Sequence, residues 1–85
     1  MSPPQHWIED AEDRLFAQGL SEQLRAALAA LPERQREVLV LRDVVGLTSE
    51  EVCAALDLQH GNERVLLHRA RGRLRAAIEL ELSQP

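Results

Sequence analysis

Leucine and alanine supply 26 of the 38 apolar residues in this chain, whereas valine, isoleucine and threonine together number nine. Unbranched side chains lose little rotamer freedom in a helix, and β-branched ones suit pleated strands, so this balance favours helix over sheet. Eighty-five residues leave room for one small domain and not for a two-domain enzyme. With Trp7 and Phe16 as the two aromatics, the core must be aliphatic and thin.

Whole classes of function drop out on composition. The single cysteine, Cys53, excludes an internal disulfide and a cysteine-based zinc site, and gives no sign of an oxidising compartment. No apolar run approaches the ~20 residues of a membrane span. The opening Met1-Ser2-Pro3-Pro4 has neither the basic region nor the apolar core of a secretion signal. A soluble, cytoplasmic chain without membrane contact is the expectation. His6, His60 and His68 form no close helical pair and share no ligand spacing with a carboxylate, so no metal site is expected. Ser49 and Cys53 have no positioned base. The sequence therefore predicts no enzyme, no cofactor and no small-molecule substrate.

The formal net charge of −4 conceals two unlike halves. Residues 1–33 carry six acids against Arg14 and Arg25, while residues 60–75 carry Arg64, Arg69, Arg71, Arg73 and Arg75 against Glu63 alone. All ten basic residues are arginine. That suits planar, bidentate contacts, and it equally suits the codon usage of a GC-rich genome.

Along the chain, residues 7–18 read as a short acidic helix on which Trp7, Ile8, Ala11, Leu15 and Phe16 share a face. Gly19 interrupts it. Ser21 caps a second helix carrying Leu24, Leu28 and Leu31, and Pro32 is placed in the first turn of a third. Glu33 and Glu37 near its start and Arg42 near its end suit the helix dipole, and Val38, Leu39, Leu41 and Val45 form its apolar face. Gly46 ends it. Thr48-Ser49-Glu50-Glu51 is a capping-box pattern opening a short helix to about Leu56, which buries Val52, Cys53, Ala55 and Leu56. After the turn 57–61, a long helix is expected from about Asn62 to Leu80. The predicted architecture is all-α, a small bundle of four to five helices containing a helix-turn-helix with a long C-terminal recognition helix. Residues 21–82 form the domain, and residues 1–20 an acidic segment or linker, part helical. Between a free helix, a linker and a partner-binding surface, packing of Trp7 and Phe16 back on the core is the preferred role for that segment.

On a helical wheel with Arg64 at zero, Leu66, Leu67, Ala70, Leu74, Ala77 and Ile78 fall between about 200° and 320°, the buried stripe. Arg64, His68, Arg71 and Arg75 cluster between about −20° and +40°, with Val65, Arg69 and Arg73 from about 100° to 180°. Charged helix faces are commonly just solvated faces. Here an apolar Val65 stands among arginines, and the ridge follows a capped short helix and a turn, as in a helix-turn-helix. Such a helix can lie in a DNA major groove and read it through arginine at guanine and apolar contact at thymine. Glu63 falls near 260°, inside the apolar arc, and is expected to reach solvent from the first turn.

The stretch Leu31-Pro32-Glu33-Arg34-Gln35-Arg36-Glu37-Val38-Leu39, then Gly46-Leu47-Thr48-Ser49-Glu50-Glu51-Val52, then Leu67-His68-Arg69-Ala70-Arg71 with Leu74-Arg75, resembles region 4 of a bacterial sigma-70 family factor of the extracytoplasmic-function group. The resemblance spans roughly residues 20–80. It implies that the last helix binds the −35 promoter element and that the earlier helices dock on the β flap of RNA polymerase core. By motif position, Asn62, Arg64, Val65, His68 and Arg69 would face bases, and Arg71, Arg73 and Arg75 would contact phosphates, which position without specifying. Thr48 and Ser49 would offer their amides to a phosphate. The family also implies a larger promoter-melting domain ahead of this one, so the chain is expected to be the C-terminal part of a longer factor. Where many members read Gly-Thr-Val, a basic residue, Ser and Arg, this chain reads Gly61-Asn62-Glu63-Arg64-Val65-Leu66. Glu63 thus takes the place of an inward Val, and Leu66 that of an Arg.

Two other functions fit the same helix order. One is a sigma-like interaction module that binds an anti-sigma factor, for which a recognition helix stripped of base-reading cations would be the mark. The other is the helix-turn-helix output domain of a response regulator, which the Leu31-Pro32-Glu33-Arg34 opening and the Arg69-Ala70-Arg71 block match poorly. The intact ridge favours promoter binding, with an anti-sigma factor expected as a further partner.

Overall fold

The structure, a computed structural model, describes residues 4–17, 19 and 21–83, without the side chains of 4–6, 12 and 15–17. Leu15 and Phe16, expected on the shared face of the first helix, lie outside the described side chains. The described residues form helices α1 (Pro4–Ala17), α2 (Glu22–Ala30), α3 (Glu33–Leu39), α4 (Ser49–Leu56) and α5 (His60–Leu82), with no strand.

Local chemistry sets most of the boundaries. The Ser21 hydroxyl accepts the Leu24 N–H at 3.1 Å and starts α2. Pro32 stands just ahead of α3 in an extended conformation, one position earlier than expected, and its carbonyl accepts the Arg36 N–H at 3.0 Å. At α4, Thr48 Oγ1 accepts the Glu51 N–H at 3.1 Å, and the Thr48 N–H donates to Glu51 Oε1 at 2.9 Å. Both halves of the capping box are therefore present. Asp57 ends α4 in the left-handed region at φ 54°, a conformation that a short polar side chain tolerates. The turn is shorter than expected, because His60 and Gly61 already belong to α5, and α5 runs on to Leu82.

The third helix departs from expectation in kind. From Val40 to Val45 it widens without a break into a π-helix, closed by Gly46 at φ 90°. The Leu41 carbonyl accepts two N–H groups there, from Gly46 at 3.0 Å and Leu47 at 2.9 Å. Val38, Leu39, Val40 and Leu41 are all buried in succession. A helix buried on every side is the hub of its fold, and here the other elements wrap it. The core joins these four to Ile8 and Ala11 of α1, Leu28 and Leu31 around α2, Val52 and Leu56 of α4, and Leu67 and Ala70 of α5. Ile8 and Ala11 pack as the sequence places them, whereas Trp7 stays 42% exposed. The stripe on α5 is buried only through its first half. Ile78 lies at the surface, and Leu80 and Leu82 are well exposed, because α5 outruns the bundle that covers it.

The capping box makes a prediction about acid. The backbone N–H of Thr48, followed by its hydroxyl, holds the Glu51 carboxyl below the ordinary glutamate range. The folded value lies under the unfolded one, so this contribution is complete above the unfolded pKa and is lost as pH falls through the folded one. Glu51→Gln keeps the hydrogen bond and removes the titration. Urea midpoints measured from pH 7 down to pH 3 should decline less steeply for this variant than for wild type, and parallel declines would count against the assignment.

Candidate nucleic-acid interface

The last helix must be held rigidly if its outer face is to read anything, and its first turn has no side-chain cap at Gln59. Glu63 supplies the anchor instead. Its side chain is 2% exposed, with Oε1 accepting from Arg42 Nη1 at 2.6 Å and Oε2 accepting from the Ser49 hydroxyl at 2.9 Å. The expectation that Glu63 reaches solvent is thus overturned. The π-helical segment brings a cation from 21 residues away in the chain, and the start of α4 brings a hydroxyl. One carboxylate therefore ties the hub helix to both helices of the helix-turn-helix. A buried charge is tolerable only when paired and hydrogen-bonded in this way.

A second tie lies two turns further along α5. Arg71 donates from Nε to Asp43 Oδ2 at 2.9 Å and from Nη2 to Asp43 Oδ1 at 2.6 Å, a bidentate pair. Arg42 and Asp43 are adjacent in the π segment, yet they grip α5 at positions eight residues apart. Sequence reasoning missed both. The signal for the first was present in Glu63 itself, an acid inside an apolar arc, which demands a cation from elsewhere. For the second there was none.

The exposed side of α5 presents Asn62, Arg64, Val65, His68, Arg69, Arg71, Arg73 and Arg75 to solvent. Val65 keeps 45% of its surface exposed amid the charges. Arg64, His68, Arg71 and Arg75 line one shallow cleft with Leu67 and Gly72. Thr48 and Ser49 stand at the opening of α4, beside this helix. Their N–H and O–H groups are partly engaged: the Thr48 amide, expected to serve a phosphate, already donates to Glu51, and the Ser49 hydroxyl donates to Glu63. On the far side, Leu24, Leu28, Leu39, Val44, Leu74 and Ile78 border an apolar groove with Asp43 at its rim. Among the described residues no group of His, Cys, Asp or Glu could hold a metal ion, and no helix is long and apolar enough to cross a membrane.

The Glu63 tie has a measurable consequence. Arg42→Ala leaves a carboxylate buried without its cation and should cost about 3 kcal/mol in urea unfolding, a large share of the stability of so small a domain. Adding Glu63→Val to Arg42→Ala replaces the stranded charge by an apolar side chain and should recover most of that loss. A double variant no more stable than the single one would sink the assignment.

Comparison with known proteins agrees with this arrangement. The family model for sigma-70 region 4 matches residues 21–74. The ECF RNA polymerase sigma factor ShbA of Streptomyces griseus is 47% identical over 68 residues, covering 80% of this chain and 36% of that protein. The ECF RNA polymerase sigma factor SigD of Mycobacterium bovis is 40% identical over 77 residues, 88% of this chain and 36% of its own. The RNA polymerase sigma factor SigZ of Bacillus subtilis is 30% identical over 74 residues, 87% of this chain and 42% of its own. The chain thus spans little more than a third of the length of these relatives. It belongs to the sigma-70 region 4 family, within the extracytoplasmic-function group.

Proposed function

We propose that this chain is the promoter-reading domain of an alternative sigma factor, which recognises the −35 element and docks on RNA polymerase core to direct transcription initiation. The observation that carries this reading is the exposed cationic ridge of α5, held at its start by the buried Glu63. Asn62, Arg64, Val65, His68 and Arg69 read base edges. Arg71, Arg73 and Arg75 meet phosphates, with the Ser49 amide at the opening of α4 beside them, while the Thr48 amide stays with Glu51. The working unit is residues 21–82, and α1 (Pro4–Ala17) ahead of it packs on the hub through Ile8 and Ala11.

The apolar groove between α2, α3 and the end of α5 suits docking on the β flap. The exposed Ile78 and Leu82, one helical turn apart on the same side of α5, suit a protein partner, an anti-sigma factor among them. Such a domain is a binding module without catalytic chemistry, and its place of work is the cytoplasm, beside polymerase.

The test is selection of short duplexes from a randomised pool, followed by a salt titration. One enriched motif, with affinity falling steeply as salt rises, is the expected result, while absent enrichment with the fold intact would favour the interaction-module reading. Within the ridge, Arg69→Ala should cost ~1–3 kcal/mol on the selected site and relax one base position, whereas Arg73→Ala should weaken all duplexes alike. Equal, sequence-blind losses from both would remove the base-reading assignment.

A further inference from the structure

The ridge arginines are not equivalent. Among the described residues, Arg71 alone of the five has a carboxylate partner, and it is held by both oxygens of Asp43 at 2.6 and 2.9 Å. The planar fork that grips a carboxylate through two parallel N–H bonds is the same fork that grips a phosphate. Asp43 therefore presents to Arg71, in the free domain, the hydrogen-bonding pattern that a DNA backbone would present.

The surroundings say what kind of pair this is. Asp43 and Arg71 side chains keep 36% and 46% of their surface exposed, so the pair is open to water and ions and is readily exchanged. The Glu63 tie, in contrast, keeps only 2% of the carboxylate side chain and 26% of Arg42 exposed, so it is far less open to exchange. Asp43 sits on the hub helix, two residues after the buried Leu41, so its backbone is anchored in the core while its carboxylate faces the surface. Arg64, His68 and Arg75 share the cleft with Arg71, and Glu63, the nearest acid on α5, is committed to Arg42 and Ser49.

Resting on the DNA-binding reading, we propose that Asp43 is a built-in competitor for DNA phosphate: it occupies Arg71 in the free domain and must be displaced before that arginine can serve the backbone. Asp43 thereby lowers the sequence-blind part of binding. Of the residues assigned to bases, Arg64 and His68 share the cleft with Arg71, whereas Asn62, Val65 and Arg69 do not line it, so the preference set by those three is kept. Sequence-independent affinity grows with each phosphate neutralised, and a cation already matched by an internal anion adds little to it.

The experiment is a double-mutant cycle of Asp43→Asn and Arg71→Gln, read by fluorescence anisotropy on a short duplex of random sequence across a salt series. Asp43→Asn should steepen the slope of log affinity against log salt by ~0.9, so that its advantage over wild type grows ~3.5-fold between roughly 200 and 50 mM salt. Arg71→Gln alone should weaken binding, since it removes a phosphate contact and leaves Asp43 unpaired, and in its background Asp43→Asn should bring no steeper salt slope. If Asp43→Asn does not fold by circular dichroism, Asp43→Ser is read in the same way. Weaker binding by the Asp43 variant would mean that Asp43 braces Arg71, and would overturn the proposal. A steeper slope that persists alongside Arg71→Gln would also overturn it, since the effect would then be general charge. Wild-type binding with a flat cycle removes this proposal alone, and no salt-dependent binding by any variant removes the DNA reading with it.

Discussion

A carboxylate with almost none of its surface in water has to be answered from within the protein, and Glu63 is answered from two directions. Arg42 reaches it from the π-helical end of the hub, and Ser49 from the opening of α4. Everything the outer face of α5 can do depends on that junction. It fixes where the recognition helix begins and which way its cationic side points. Apolar packing by Leu67 and Ala70 then holds the helix down along its first half. Hydrophobic contacts alone are forgiving of small rotations, whereas two directed bonds to one carboxylate are not.

The widened segment 40–45 is what makes the junction reachable. Successive side chains in a π-helix are set closer in angle than in an α-helix, which lets the neighbours Arg42 and Asp43 both address α5. Gly46 closes the segment in a conformation that other residues rarely adopt. The burial of Val38 to Leu41 anchors it from the other side. The two ties it carries differ in character. The Glu63 carboxylate is almost fully enclosed, while both members of the Asp43–Arg71 pair are open to solvent.

What the sequence made legible follows from range. Ser21 with Leu24, and Thr48 with Glu51, are pairs three residues apart, so local rules were enough to find them. The helix order and the solvent-facing ridge followed from periodicity, which survives any detail of packing. Gly61 misled, because glycine was read as a turn although the chain there is already helical. The π segment left no local mark, since nothing in the residues 40–45 favours it over an α-helix without the surrounding core. The Arg42–Glu63 and Asp43–Arg71 pairs span 21 and 28 residues and could only be seen once the helices were placed. Even so, Glu63 in an apolar arc was a visible anomaly. It pointed to a missing partner, and the first-turn explanation overlooked that a helix start can be buried by the element before it.

Asp43 also stands at the rim of the apolar groove bordered by Leu24, Leu28, Leu39, Val44, Leu74 and Ile78, as its single charged member. One side chain thus belongs to two surfaces, the cationic cleft through Arg71 and the apolar groove. Thermodynamic linkage makes the consequence reciprocal: whatever draws Asp43 towards the groove changes the hold on Arg71, and whatever draws Arg71 away changes the charge that a groove ligand meets, by the same free energy. Within so small a domain, no messenger other than that shared carboxylate is needed for one surface to sense the state of the other.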